Sequence, residues 1–178
     1  MMNTEKVDLK LKEIQCIVLK GDSIAEQKEL FKDTAIKNLI IERSRNDRVF
    51  CLVCFDKDKT MAGYFWGIVP TERTWHDSIP IDKGQGFLFN GYVNPQFRGN
   101  NIFPFLINET SQYIKRHYQV NEIIDVVEKQ NIASNKAHNK VNAKIYSKNI
   151  LFKFLGRNLI SLYRKNIILL LGNKRNRI

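Results

Sequence analysis

The sequence predicts an α/β (α+β) fold, a single sheet whose strands are interleaved with helices that cover its faces. Three observations lead there. The hydrophobic period switches repeatedly between that of a strand and that of a helix. Turn-forming clusters, such as Gly21-Asp22-Ser23 and Asp56-Lys57-Asp58-Lys59, fall where the period changes. The 178 residues contain no repeat, low-complexity stretch or linker, so one domain spanning 1–178 is expected.

The elements follow in order. Glu13-Ile14-Gln15-Cys16-Ile17-Val18-Leu19 begins by alternating polar with apolar and reads as a strand. Gly21-Asp22-Ser23 supplies a turn and a helix start, and a helical period runs through Ala25, Leu30, Phe31, Ala35, Ile36, Leu39 and Ile40 to a break at Asn46-Asp47. Residues 48–55 and 60–69 are β-branched and aromatic runs joined by the Asp-Lys turn, which makes a hairpin. Residues 70–85, with Pro70, Pro80 and Gly84, read as a long loop of the kind that often carries function. Phe87 to Val93 is a strand, Ile102 to Tyr118 a helix, Glu122 to Val127 a buried strand and Ser134 to Ala143 a short helix. Ile150 to Leu155 and Leu159 to Tyr163 form a closing hairpin around Gly156-Arg157-Asn158.

Composition narrows the class. Hydrophobic residues make up 43% and aromatics 11%, enough for a packed core. No run approaches the roughly 20 apolar residues that span a bilayer, and no apolar run follows the first residues as in a signal peptide. Three cysteines, an odd number, argue against a disulfide framework. Cys51 and Cys54 have CxxC spacing but sit in an apolar run with no partner ligands, so they read as small core residues and no metal site is expected. The expectation is a soluble, cytoplasmic, thiol-reduced protein. Of its net charge of +11, residues 129–178 hold twelve Lys or Arg and no acid. That asymmetry favours an anionic partner, whether a cofactor phosphate, a nucleotide-linked substrate, nucleic acid or a membrane surface; the alternative is a lysine-rich solvated face. The apolar run 166–172, followed by Lys174, Arg175 and Arg177, reads as peripheral membrane contact, a last strand or a dimer segment.

The most informative stretch is Gly91-Tyr92-Val93-Asn94-Pro95-Gln96-Phe97-Arg98-Gly99-Asn100-Asn101-Ile102-Phe103. A strand ends at Val93, Pro95 stops its ladder, and a polar loop leads into a helix. Free backbone N–H groups and the positive end of a helix dipole then converge, with Arg98 beside them, where a phosphate could bind. Otherwise it is an ordinary strand-turn-helix connection.

This segment resembles the pyrophosphate loop of the GNAT acetyltransferases, in which a strand ending Val-x-Pro is followed by Arg-Gly-x-Gly-x-Gly/Ala and a helix. Val93, Pro95, Arg98, Gly99 and Ile102 fall in step; Asn101 and Phe103 stand where glycine and Gly/Ala are expected. Asparagine tolerates left-handed backbone, whereas Phe103 takes space where a pyrophosphate approaches. Downstream, Asn131, Ser134, His138 and Lys140 match the family's Asn-x-x-Ser/Ala, Tyr and Lys positions, with histidine in place of tyrosine and Asn142-Ala143 in place of Gly-Phe. The resemblance spans roughly 48–164. It implies a mixed, mostly antiparallel central sheet covered by helices, and an N-acetyltransferase that takes acetyl from acetyl-CoA.

The same resemblance implies the residue roles. Tyr92 and Val93 would pair with the pantetheine amides, and Arg98, Gly99, Asn100, Asn101, Ile102 and Phe103 would surround the pyrophosphate. Asn131 and Ser134 would face the pantetheine arm. His138 would protonate the leaving thiolate, with Tyr146 the next candidate; the competing reading is a packing histidine. No general base stands out among Glu72, His76, Asp77 and Asp82, and Asn90 could orient a water or the acceptor. His117, at a helix end, reads as a dipole partner. The acceptor is expected to be a small-molecule primary amine, with an amino-sugar or sugar-nucleotide favoured by analogy, and a homodimer is compatible. No specific nucleic-acid partner is expected. The alternative is a non-catalytic module of the same fold that binds an anionic partner through its basic C-terminal third.

Overall fold

The computed structural model describes residues 13–172 except 33, 77–78 and 156–158, and from 146 onward it describes the backbone only. Nine strands and four α-helices follow in order: β1 (Gln15–Lys20), α1 (Asp22–Glu26), α2 (Ile40–Ser44), β2 (Val49–Phe55), β3 (Met61–Ile68), β4 (Thr74–His76), β5 (Ile79–Ile81), β6 (Gln85–Val93), α3 (Ile102–His117), β7 (Glu122–Glu128), α4 (Ile132–Lys140), β8 (Lys144–Leu155) and β9 (Leu159–Gly172). Seven strands form one sheet in the order β1-β2-β3-β6-β7-β9-β8, and β4 pairs only with β5. Every pairing is antiparallel except β6–β7. That parallel pair needs a crossover, which α3 provides.

Side chains alternate between the two faces of the sheet. On one face Leu19, Cys51, Val53, Tyr64, Trp66, Phe87, Phe89 and Ile124 pack with Ile24 of α1, Phe31 and Ile40 of α2. On the other, Phe50, Leu52, Phe65, Leu88 and Ile123 meet Ile102, Leu106, Ile107 and Ile114 of α3 and Ala137 of α4. The basic last turn of α3, Lys115-Arg116-His117, opposes the negative end of its dipole. There His117 stacks on Tyr113 at 4.2 Å, with Nδ1 2.9 Å from the Tyr113 carbonyl.

Four expectations need correction. The single helix expected after Gly21 is two short helices with 3₁₀ turns at Lys28–Phe31 and Lys37–Leu39; none of the four pieces has a side-chain cap and each buries at most one residue, so no continuous apolar stripe holds one long helix. The loop 70–85 folds into the β4–β5 hairpin, which buries Ile79 and Ile81. The closing hairpin is longer than expected, and 166–172 belongs to β9, where it pairs with β7 inside the sheet. Cys16 and Cys54 stand directly opposite on β1 and β2 and form a disulfide, leaving only Cys51, among the three, as a buried free thiol. Counting cysteines could not reveal a register that brings two together. Gly156-Arg157-Asn158, Lys174, Arg175, Arg177 and Asp77, and the Tyr146 side chain, lie outside the described residues.

Candidate active site

The site begins with a defect in the sheet. Between Tyr64↔Tyr92 and Trp66↔Phe89, β6 carries one residue more than β3, a β-bulge. Asn90 absorbs it with φ of 49°, a conformation that asparagine tolerates. The parallel pairing of β6 with β7 runs only from Gln85↔Glu122 to Leu88↔Asp125. Beyond it the two strands part, and their facing backbone groups are left without each other.

A cavity of about 640 Å³ opens in that gap, within the size range of small-molecule sites. Its walls are Asn90, Gly91, Tyr92 and Val93 of β6, Asp125 to Glu128 of β7, the loop with Arg98, Gly99 and Asn101, the first turn of α3, and Asn131, Ser134, Lys136 and Lys140 at α4. Gly91 is required here, since a Cβ would lie 2.3 Å from the Phe103 ring.

The loop beneath the cavity is shaped by local chemistry. Asn94 accepts a hydrogen bond from the Gln96 N–H and starts a 3₁₀ turn over Pro95–Phe97. Gly99 takes φ of 82° and Asn101 takes φ of 62°. Asn101 thus adopts the left-handed conformation that a glycine would otherwise supply. Its side chain does not cap α3; instead Oδ1 accepts from Lys140 Nζ at 2.7 Å, tying the loop to α4. Among the described residues, no backbone carbonyl accepts from the N–H groups of Gly99, Asn100, Ile102 or Phe103. Gly99, Ile102 and Phe103, at the positive end of the α3 dipole, border the cavity together with the cations Arg98, Lys136 and Lys140. Phe103 turns its ring onto Phe65, centroids 5.4 Å apart, so its bulk lies against the core.

All the residues singled out for cofactor contact line this cavity except Asn100, whose side-chain amide donates back to the Phe97 and Arg98 carbonyls. Arg98 Nε lies 3.3 Å from the Val93 carbonyl. Asn131, which lines the cavity, uses Oδ1 to cap α4 at the Ser134 N–H, 3.1 Å away.

His138 does not line the cavity. Its ring is 1% exposed, with Nε2 2.8 Å from Asp125 Oδ2 and Nδ1 2.8 Å from the Ser134 carbonyl. Both contacts are to acceptors. A neutral imidazole has one N–H to give, so the imidazolium form satisfies both. Burial alone would lower the pKa of His138, but the hydrogen bond and charge of Asp125, with the Ser134 carbonyl, raise it above the ordinary value. Asp125 is held on its other side too, since Oδ1 accepts from the Val126 N–H at 2.6 Å. Sequence reasoning passed over Asp125, although a lone acid within Ile123-Ile124-Asp125-Val126-Val127 signals a buried partner.

The suggested base candidates lie elsewhere. Asp82 pairs with Arg73 at 3.2 Å on an exposed surface, Glu72 is exposed, and His76 packs on Phe87 and Phe89. Among the described residues no cluster of acids, histidines and cysteines could hold a metal ion, and no helix is long and apolar enough to cross a membrane.

A mostly antiparallel sheet with a bulged strand, a parallel pair that parts and a loop leading into a helix between them is a fold also found in GNAT acetyltransferases. Solved structures bear out the fold. An acetyltransferase of the GNAT family from Streptococcus pneumoniae superposes with a TM-score of 0.60 at 12% identity, over 88% of this chain and 99% of that one. NAA60 of Arabidopsis thaliana, in complex with acetyl-CoA, gives 0.62 at 13% identity, over 88% and 97%. A chimera of the Vibrio cholerae spermidine N-acetyltransferase SpeG with hSSAT gives 0.64 at 12%, over 90% and 96%. No protein-family model and no curated protein matches the chain.

Proposed function

We propose that this protein is an acetyl-CoA-dependent N-acetyltransferase whose acceptor is a small primary amine, of the amino-sugar or sugar-nucleotide kind. The observation that carries the reading is the cavity between the parted strands β6 and β7, closed at one end by unpaired N–H groups and cations. The acetyl-CoA complex of the Arabidopsis NAA60 supports the same co-substrate in this fold.

Acetyl-CoA, when bound, would supply an activated thioester. The chain's residues do the rest. The N–H groups of Gly99, Asn100, Ile102 and Phe103 hold the pyrophosphate, and Arg98, Lys136 and Lys140 offset its charge. The free edges of Tyr92-Val93 and of β7 receive the pantetheine amides as an added strand, with Asn131 and Ser134 on the flank. The acceptor nitrogen enters at the bulge beside Asn90. It forms the C–N bond as the C–S bond breaks, and the proton the amine gives up is balanced by one taken up on sulfur. His138 cannot deliver that proton directly from behind the wall. Its place in this reading is to hold Asp125 and to fix α4, with Ser134, Lys136 and Lys140, against β7.

The non-catalytic alternative loses ground because Lys136 and Lys140, from the basic C-terminal third, line the cavity. The test is release of free thiol from acetyl-CoA with primary amines present. Release that rises with amine concentration and saturates is expected. Bound acetyl-CoA with no amine-dependent release from a broad amine panel would refute catalysis.

A further inference from the structure

On the sheet face opposite α3 lies a cation with no ion pair among the described residues. Arg43 of α2 lies over two rings, its guanidinium carbon 4.5 Å from the Trp66 centroid and 5.0 Å from that of Phe89. Its Nη2 donates to Asn90 Oδ1, at the bulge that lines the cavity. Its Nη1 is buried with no hydrogen-bond partner. Trp66 Nε1, on a fully buried ring, is likewise without a partner. Among the described residues Arg43 has no ion pair. An unsatisfied donor on a cation is expensive unless a ligand completes it, and Trp66, 0% exposed, serves as the ring under the guanidinium. The rings fix the guanidinium plane, which suits recognition of a planar or tetrahedral oxyanion.

We propose that Arg43, with Trp66, forms an oxyanion subsite for the acyl acceptor, so that the acceptor is an amine that also carries a carboxylate or a phosphate. This rests on the N-acetyltransferase reading and deepens it. Asn90 joins the two halves: one side of it faces the cofactor cavity, and its side chain holds Arg43. An anion seated there places the acceptor nitrogen at the bulge. The same lone cation repels polyamines, so the acceptor class differs from the one named for the spermidine N-acetyltransferase that shares this fold.

The test is calorimetric binding to the CoA-loaded protein of matched compounds: glucosamine against glucosamine phosphate, an amino acid against its amide, and spermidine. The expected result is that one anionic member binds at least about tenfold tighter than its uncharged counterpart, and that spermidine binds most weakly. The phosphate and carboxylate arms show which oxyanion is taken. Arg43→Met, which keeps a flexible chain over the rings, should erase the preference while CoA affinity stays unchanged, which also shows that the variant folds. Arg43→Lys should keep part of it. Anionic members that bind no better than their counterparts, or a preference that survives Arg43→Met, overturn the subsite. Failure of CoA itself to bind sinks the underlying reading instead, and the same compounds then judge the subsite on the CoA-free protein.

Discussion

Replacing Asp125 with alanine should lower folding stability by about 3–5 kcal/mol, the cost of leaving one partner of a buried ion pair alone. Asp125 is 6% exposed and His138 1%, so the pair is held away from bulk solvent. Removing both partners together, as Asp125→Leu with His138→Phe, should cost much less than the sum of the single changes, because neither charge is stranded. Urea melts of the wild type, Asp125→Leu, His138→Phe and the double variant measure this, and additive costs would show that the pair is not coupled. The pH dependence has a definite sign. Because the pKa of His138 is raised in the folded protein, its stabilisation is complete below the ordinary value of 6.5 and fades as the pH climbs through the folded value. The stability gap between wild type and His138→Phe should therefore narrow on going from mildly acid to alkaline solution.

Arg98→Ala should weaken acetyl-CoA binding about tenfold, or about 1.5 kcal/mol, the lower end for a charge-assisted hydrogen bond. The lower end applies because Arg98 is exposed and solvent screens its charge. The loss should shrink at high salt. Arg98 is one of several groups proposed to hold the pyrophosphate, and the backbone donors of Gly99, Ile102 and Phe103 remain in the variant, so binding should be weakened and not abolished. An unchanged dissociation constant at low salt would remove Arg98 from the site.

The backbone of the loop from Val93 to Ile102 was legible in the sequence because its chemistry is local. Val93, Pro95, Arg98 and Gly99 announce a strand end, a stop, a charge and a turn within a few residues, and Asn101 carries its own tolerance of positive φ. The bulge was half legible: Asn90-Gly91 inside an apolar strand is a pair suited to left-handed backbone, yet only the register against β3 shows an extra residue. Arg43 was illegible, since nothing local says that a helix-end arginine will lie across rings from two distant strands. His138 illustrates the opposite hazard. Its spacing from Asn131 and Ser134 put it on the correct helix, but spacing cannot say which face of that helix turns to the cavity and which to β7. The disulfide and the β4–β5 hairpin were missed for the same reason, that both depend on what stands opposite in space.

The most direct measurement is a calorimetric titration of acetyl-CoA into the wild-type protein at low salt. The account requires saturable binding at one site per chain, weakened by Arg98→Ala and little changed by Arg43→Met. No heat and no competition by CoA at millimolar ligand would contradict it, because the cavity between β6 and β7 would then have no role as a CoA site.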